Sequence, residues 1–593
     1  MYTASFAFFE ALSEAGVTHC FVNLGSDHPS IMEAIVKGQN EKAKNFPRII
    51  TCPNEMVALS IADGYARVTN KPQAVIIHVD VGTQGLGAAV HNASCGRAPV
   101  LIFAGLSPCT IEGEYRGSRT EYIHWLQDIP DQKQIVAQYC RYTGEIKRGR
   151  NVKQLVNRAL NLATSDPKGP VYLVGSREAM EEEIEPYTVD QSLWTPAELG
   201  ALKHSQLQQV SELLVDAQEP LVIAGYVGRN QSAVDSLVEL ANTIKGLRVL
   251  DTTGSDMCFP ADHPAWLGLK YGEDESIRTA DAILVLDCDV PWINTQCHPR
   301  KGAKIIHIDV DPLKHQMPVF YIDAIARFRA DPASAISQIT SYVRTHLQDR
   351  ISTQTFDRRW LNLQQKHQQR IEGVASKAIP GENGTFDCPF LISQVRKACP
   401  PDTIWAVEAV TNSVIASDQI QATIPGSWIN CGGGGLGWSG GGALGIKLAT
   451  DAQAGGTNKG KFVCQIVGDG SYLFSVPGSV YWIAQRYNIP VLTIVLNNKG
   501  WNAPRKSLLF VHPNGDGSKV SNEDLHISFA PTPDYAGIAK AAAGGKAWAH
   551  HADTVADLQR LLPEAVKAVK SGICAVLDAH LGGPQGKFEG DSA

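Results

Sequence analysis

Gly468-Asp469-Gly470-Ser471 and Asn497-Asn498-Lys499-Gly500 are set apart by the 26 residues between Gly470 and Asn497. Asp469 offers a hard anionic oxygen and Asn498 a neutral one. Mg²⁺ takes about six oxygens at roughly 2.1 Å and commonly draws several from phosphates. The glycines let backbone N–H groups approach a diphosphate beside a helix N-terminus. Either cluster alone is an ordinary turn signal. Together, in a strand-helix-strand setting, they describe a place for a metal diphosphate.

The flanking residues supply that setting. Phe462 to Val467 and Val491 to Leu496 are strand-like runs. Between them Val476, Val480, Ile483, Ala484 and Tyr487 recur at helical spacing, and Asn488 and Pro490 close the pattern. One crossover helix is expected there. Such a unit is parallel and right-handed. Both polar clusters then lie at the carboxyl ends of neighbouring strands, where open α/β sheets bind ligands.

A second candidate stands near the amino terminus, in RIITCPNEMVALSIADGYARV. A strand ends at Pro53, Asn54 is placed to cap a helix, and Glu55 falls in its first turn. An acid there is also favoured by the helix macrodipole, by about 0.3–1 kcal/mol. The local pattern alone therefore leaves Glu55 open between structure and chemistry.

The rest of the chain must position these groups. Its 593 residues suggest three or four domains. An apolar content of 44% with 19% charged residues fits a water-soluble globular protein. The formal charge of −7, without a basic block, argues against nucleic acid as a partner. Thirteen cysteines without a Cys-x-x-Cys pair argue against zinc ribbons and a disulfide framework, and point to a reducing, cytoplasmic compartment. MYTASFAFFEALSEAG reads as an amphipathic helix, not a signal peptide, and no run of eighteen apolar residues suggests a membrane span. The terminal GKFEGDSA is polar and holds no recognisable targeting tripeptide.

Strand-like and helical runs alternate throughout, which predicts an α/β protein of three doubly wound parallel-sheet domains. The first covers 1–185, with strands at His19–Asn23, Arg48–Thr51, Ala74–Val79, Val100–Ala104 and Val171–Val174. An acidic, proline-bearing linker follows, from Glu181 to Pro196. The central domain covers 200–345, with strands at Leu221–Ala224, Arg248–Asp251, Ala282–Asp287 and Lys304–Asp309. Thr353 to Gly373 reads as a polar surface helix. The last domain covers 380–585; beside the two strands above, it has Thr403–Val407, Trp428–Asn430 and Ile573–Asp578. Asp451 to Lys459 is expected to form an exposed, mobile loop, and the three α/β units are expected to share one plan.

The paired Gly-Asp-Gly and Asn-Asn clusters resemble the thiamin diphosphate signature. Glu55, Ile61-Ala62-Asp63-Gly64-Tyr65-Ala66-Arg67, Lys71-Pro72 and the strand ending at His78 resemble the pyrimidine-binding domain of thiamin diphosphate enzymes. The resemblance spans nearly the whole chain. It lies in the group that contains acetolactate synthase, benzoylformate decarboxylase and benzaldehyde lyase. It implies pyrimidine-binding, central and diphosphate-binding domains in that order, with thiamin diphosphate and Mg²⁺ as cofactors. It further implies that Asp469, the Asn498 side chain and the Gly500 carbonyl hold the metal, and that Val410, Thr411, Asn412, Gly470 and Ser471 meet the diphosphate. Leu436 would wedge the cofactor into its bent form, the Gly434 carbonyl would accept from its 4′-amino group, and Trp501 would line the substrate channel with Asn502. Glu55 would protonate the aminopyrimidine.

Benzoylformate decarboxylase resembles the chain most closely around the substrate. That likeness implies that Ser26 orients the substrate carboxylate and that His78 relays protons. Gln84 departs from the family's loop of smaller residues and would place an amide near the reacting carbon; His28 is a second candidate at the substrate mouth. The segment His512 to His526, rich in Gly, Ser, Asn and Asp, is a candidate lid.

The activity so implied is decarboxylation of a 2-oxo acid through an enamine, with a carbonyl acceptor giving an acyloin or acetohydroxy acid. The alternatives are a benzoylformate-type decarboxylase that releases an aldehyde, and a catalytically silent regulatory relative. Active sites would lie between chains of a homodimer or homotetramer. Ala224-Gly225-Tyr226-Val227-Gly228-Arg229 and Ile306 to Pro312 resemble part of the flavin site of acetolactate synthase. Cys288-Asp289-Val290-Pro291-Trp292 departs from it, so a structural central domain is expected in preference to one that binds FAD. A nicotinamide dehydrogenase is not supported, because it would require a Gly-x-Gly-x-x-Gly turn between strand and helix followed by a ribose-binding acid, and that combination is not found.

Overall fold

Leu221–Ala224 and Ala282–Leu286 carry apolar side chains without alternation, a pattern that demands cover on both faces of a sheet. The computed structural model, which describes residues 1–41, 46–320 and 322–582, provides that cover three times. GKFEGDSA lies outside the described residues. In the first sheet β1 (His19–Val22), β2 (Arg48–Thr51), β3 (Gln73–Ile77), β4 (Val100–Leu106), β5 (Tyr142–Ile146) and β6 (Val171–Ser176) run in the order β2-β1-β3-β4-β6-β5. The second holds β7 (Pro220–Ala224), β8 (Arg248–Asp251), β9 (Trp266–Leu269), β10 (Ala282–Leu286), β11 (Lys304–Asp309) and β12 (Ala326–Arg329), ordered β12-β11-β10-β7-β8-β9. The third holds β13 (Ile404–Glu408), β14 (Trp428–Asn430), β15 (Val463–Gly468), β16 (Leu492–Asn497), β17 (Trp548–Ala552) and β18 (Ala575–His580), ordered β14-β13-β15-β16-β18-β17. Every paired strand is parallel to its neighbour.

The expectation of three units on one plan needs correction. The first and third sheets have the same strand order. The central sheet is different: counted from its own first strand it reads 3-2-1-4-5-6, the dinucleotide-binding order.

The outer domains share one apolar core, which runs from Phe21, Val57 and Ile61 to Leu444, Val467 and Val576. Its centre is the crossing of the Glu55–Thr69 helix over the Trp438–Gln453 helix. Glycine makes the approach possible. A Cβ on Gly64 would overlap the Gly442 carbonyl, and one on Gly445 would overlap that of Ile61. Arg67, fully buried on the first helix, ties in the central domain. It donates to the Asn430 carbonyl at 3.2 Å, the Ser255 carbonyl at 2.8 Å and Asp256 at 3.2 Å.

One local expectation changes, and two other segments gain anchors. The connection from β15 to β16 is two helices, Asp469–Phe474 and Pro477–Tyr487, not one. Val476 breaks them with φ 53°, and Pro477 starts the second because it has no N–H to leave unpaired. The insert after the Trp438–Gln453 helix is largely exposed, as expected, and is anchored at its start: Asp451 is buried, pairs with Lys447 at 2.6 Å and accepts from the N–H groups of Asn458 and Gly460. The stretch 512–526 follows the Asn502–Val511 helix, contains the turn Asp516–Lys519, and is held by Arg505 through the Val520 carbonyl and Asn522. The helix Gln354–Ser376 is polar and largely exposed. Among the described residues no helix is long and apolar enough to cross a membrane.

Candidate active site

The ends of β13, β15 and β16 open onto a cavity of about 440 Å³. Val410, Thr411, Asn412, Gly434, Leu436, Asp469, Gly470, Ser471, Asn498, Gly500 and Trp501 all line it. The sheet order explains why. β13 and β15 are neighbours whose onward connections go to opposite sides, which leaves a crevice beyond their carboxyl ends.

Asp469 starts its helix at the end of β15 and accepts from Gly470 N–H at 2.7 Å and Gly500 N–H at 3.0 Å. Burial pushes its carboxyl up to about 7, so an anion at this place calls for a cation beside it. The Asn498 amide meets both Asp469 oxygens at 3.2 Å and the Gly500 carbonyl oxygen at 2.9 Å. With its nitrogen at that point it donates to all three. With its oxygen there, a hard set of convergent oxygens results. Neighbouring ligands of an octahedral Mg²⁺ bonded at roughly 2.1 Å lie about 3.0 Å apart, so the residues present fit the ion. Trp501 adds a donor: its buried Nε1 has no protein partner. Gly470 makes room for that ring, because a Cβ would strike it.

The loop over this floor is fixed by Glu408, a residue the sequence reading did not single out. Glu408 ends β13 fully buried and accepts from the N–H groups of Gly437 at 2.6 Å and Ser439 at 2.7 Å. It thus caps the Trp438–Gln453 helix from across the sheet and pins the segment that carries Gly434 and Leu436. Burial raises its carboxyl to about 7. On the other side Gly434 N–H donates to His91 Nε2 at 3.0 Å, and Asn92 brackets Gly435 at 2.6 and 3.1 Å.

The first-domain candidates form a separate group, and none of them lines the cavity. Asn54 caps the Glu55–Thr69 helix through Val57 N–H at 3.1 Å. Glu55, half-buried, accepts from Asn23 Nδ2 at 2.9 Å, and its carboxyl lies against Gly82 and Gly85. His78, at the end of β3, bonds Asp27 Oδ1 through Nδ1 at 2.5 Å. That bond holds the imidazole above its ordinary value, against its own partial burial. Burial would push Asp27 up, but His28 and His78 keep it below the usual carboxylate range. His78 Nε2 stands 3.3 Å from Gln127 Nε2, which can donate to it when the ring is neutral.

Ser26 is half-buried in the turn after β1. Gln84 is exposed, and its amide turns back to Asp80 at 3.4 Å. His28 is not at a mouth: it is fully buried, its Nδ1 accepts from Gly25 N–H at 3.1 Å, and burial lowers its pKa. Asn23, Asp27 and Gln127 were missed. No spacing rule joins Asp27 to a histidine 51 positions away; only the adjacency of β1 and β3 does.

The central sheet has its own crevice between β7 and β10, and protein fills it. Arg97, from the first domain, bonds Asp287 at 2.6 Å and Asp289 at 2.9 Å, with its guanidinium 3.9 Å from the Tyr226 ring centre. Lys314 joins Asp289 at 2.7 Å and Asp309 at 2.6 Å.

Comparison with known proteins bears on this arrangement. Residues 2–135 match the thiamine pyrophosphate enzyme N-terminal TPP binding domain, 207–326 its central domain and 409–579 its C-terminal TPP binding domain. A probable acetolactate synthase large subunit of Methanocaldococcus jannaschii is 22% identical, over 75% of this chain and 73% of its own length. The benzoylformate decarboxylase of Pseudomonas aeruginosa is 23% identical over 85% and 88%. The acetolactate synthase of Arthrospira platensis is 24% identical over 90% and 89%. Among solved structures, a thiamine diphosphate-dependent 4-hydroxybenzoylformate decarboxylase from Rhodococcus jostii RHA1 superposes with a TM-score of 0.76 at 20% identity, covering 99% of this chain and 100% of its own.

Proposed function

Since the chain belongs to the thiamine pyrophosphate enzyme family, we propose that it decarboxylates a 2-oxo acid and passes the remaining carbon to a second carbonyl compound, giving an acyloin or acetohydroxy acid. The observation that carries this reading is the convergence of Asp469, Asn498 and Gly500 in one cavity with Gly434 and Leu436. Thiamin diphosphate, when bound, supplies a carbon nucleophile and an electron sink for the pair left by carbon dioxide.

The chain's own residues have distinct tasks. Asp469, Asn498 and Gly500 would hold Mg²⁺ on the diphosphate. Val410, Thr411, Asn412, Gly470 and Ser471 would contact that diphosphate, and Trp501 would line the channel. Gly434 and Leu436 would orient the aminopyrimidine. Glu55, fixed by Asn23, would share a proton with it. Ser26 would bind the substrate carboxylate, and His78, oriented by Asp27, would carry protons at the substrate. The reading needs a second copy of the chain, in a homodimer or homotetramer, to bring Glu55 to the cavity. Exposed Val410 and Phe474 at the cavity, and exposed Val81 beside Gly82, support that assembly. A chain with thirteen cysteines and no Cys-x-x-Cys pair suits a cytoplasmic enzyme.

A second outcome has its own support. Asp27 raises the affinity of His78 for a proton, which favours protonation of the carbon and release of an aldehyde. The test is to supply thiamin diphosphate and Mg²⁺ with pyruvate or benzoylformate, and to follow carbon dioxide, aldehyde and acyloin together. Carbon dioxide with acyloin is expected; carbon dioxide with aldehyde alone selects the second outcome. No carbon dioxide from either acid would overturn both. The purified protein should be colourless, and bound flavin would refute the central-domain reading.

A further inference from the structure

Beyond the cofactor cavity, the ends of β17 and β18 bring together His551, Asp578 and His580, whose ligand atoms all lie within 4.8 Å of one another. Asp578 is buried, and its Oδ1 accepts from Asn497 Nδ2 at 3.0 Å. Its Oδ2 faces His551 Nδ1 at 3.2 Å and His580 Nε2 at 3.3 Å. The outer nitrogens of both rings also meet carboxylates: His580 Nδ1 lies 2.7 Å from Asp553, and His551 Nε2 lies 3.3 Å from Asp534.

We propose that His551, Asp578 and His580 form a second divalent-cation site, which prefers a Zn²⁺-type ion to Mg²⁺. The outer carboxylates fix each ring's orientation and take its N–H, leaving the inner nitrogen's lone pair free, as partners of metal-bound histidines do. Bonds of about 2.0–2.2 Å in a tetrahedral Zn²⁺ site put neighbouring ligand atoms about 3.3 Å apart, which the 3.2 and 3.3 Å separations match. Two imidazoles and one carboxylate select a borderline-soft ion over Mg²⁺. Partial exposure of both rings leaves room for water as a fourth ligand. Three carboxylates around two neutral rings supply the charge that draws a cation in. The site also touches the cofactor loop, because Asn497 bonds Asp578 and accepts from Lys499 N–H at 3.3 Å.

The same contacts would suit two protonated rings without a metal, and Co²⁺ titration separates the cases. The enzyme, loaded with thiamin diphosphate and Mg²⁺, is titrated with Co²⁺, whose visible absorption is intense in four-coordinate sites. One Co²⁺ per chain with that absorption is expected, displaced by Zn²⁺ and not by excess Mg²⁺. His551→Ala and His580→Ala should each weaken binding at least tenfold. His550→Ala, on the opposite face of the same strand, should leave it unchanged. Circular dichroism and retained binding of the cofactor with Mg²⁺ show that the variants are folded. Absence of the absorption, or equal Co²⁺ affinity in the wild type and the His551→Ala/His580→Ala double variant, would overturn the site.

Discussion

The first and third sheets have one strand order and put their candidate residues at one address, yet they treat a buried acid in opposite ways. At the end of β15, Asp469 has only N–H donors and an amide about it, and burial raises its carboxyl to about 7. At the end of β1, Asp27 is just as enclosed but sits between two imidazoles and stays below the usual carboxylate range. The first is an anion in want of a cation. The second is an anion already matched, which spends its charge on aiming His78. One topology therefore yields a buried acid without a facing cation in one domain and one flanked by imidazoles in the other; under the proposed function the first would anchor the cofactor and the second would aim a proton carrier.

The sharpest break in this comparison is between binding and turnover. Asp469→Ala should lower affinity for Mg²⁺ and thiamin diphosphate by more than about 100-fold, since even partners of metal ligands cost about 10–100-fold. Glu55→Gln should keep that affinity and lower kcat by roughly 10²–10⁴-fold, the usual range for a lost acid–base group. Calorimetry and steady-state assays on both variants check the division; a Glu55→Gln enzyme with near-normal kcat would end it.

Next in size is the contact that holds the two sheets together. In Gly445→Ala the new methyl group meets the Ile61 carbonyl. Overpacking of this kind costs about 1–3 kcal/mol, to be read from denaturant midpoints. An unchanged midpoint would mean that the helices part easily.

The smallest effect tests the Asp27–His78 pair. Asp27→Asn should move the high-pH limb of the activity profile to lower pH, because the bond that raises His78 is gone. The sign for stability follows. A histidine raised in the folded state stabilises fully below its unfolded pKa and loses that contribution as pH rises through the folded one. The variant's deficit should thus be largest in mild acid and shrink towards alkaline pH. A pH-independent deficit would assign Asp27 a packing role alone.

Much of the architecture was legible beforehand. Strands with continuous apolar runs, such as Ala282–Leu286 and Pro220–Ala224, were expected nearly to the residue. The strands left out, Tyr142–Ile146, Trp266–Leu269, Ala326–Arg329 and Trp548–Ala552, all stand at sheet edges. An edge strand is paired on one side only, so three of these could keep exposed or half-exposed polar residues; Trp266–Leu269 is buried but interrupted by Gly268. The break at Val476 was hidden for a related reason. Helical spacing continues through it, and only the backbone shows the left-handed residue.

By itself the sequence determined the residues that line the cavity, because strand, turn and helix fix Asp469, Asn498 and Gly434 within short stretches of chain. Local order is enough to place a ligand at the end of its own strand. Only the tertiary structure decided what each group faces. It paired Asp27 with His78, put Glu408 under the glycine loop, buried His28, filled the central crevice with Arg97 and gathered His551, Asp578 and His580. These contacts join residues from different strands or domains, and their energies depend on burial and distance, which spacing along the chain does not encode.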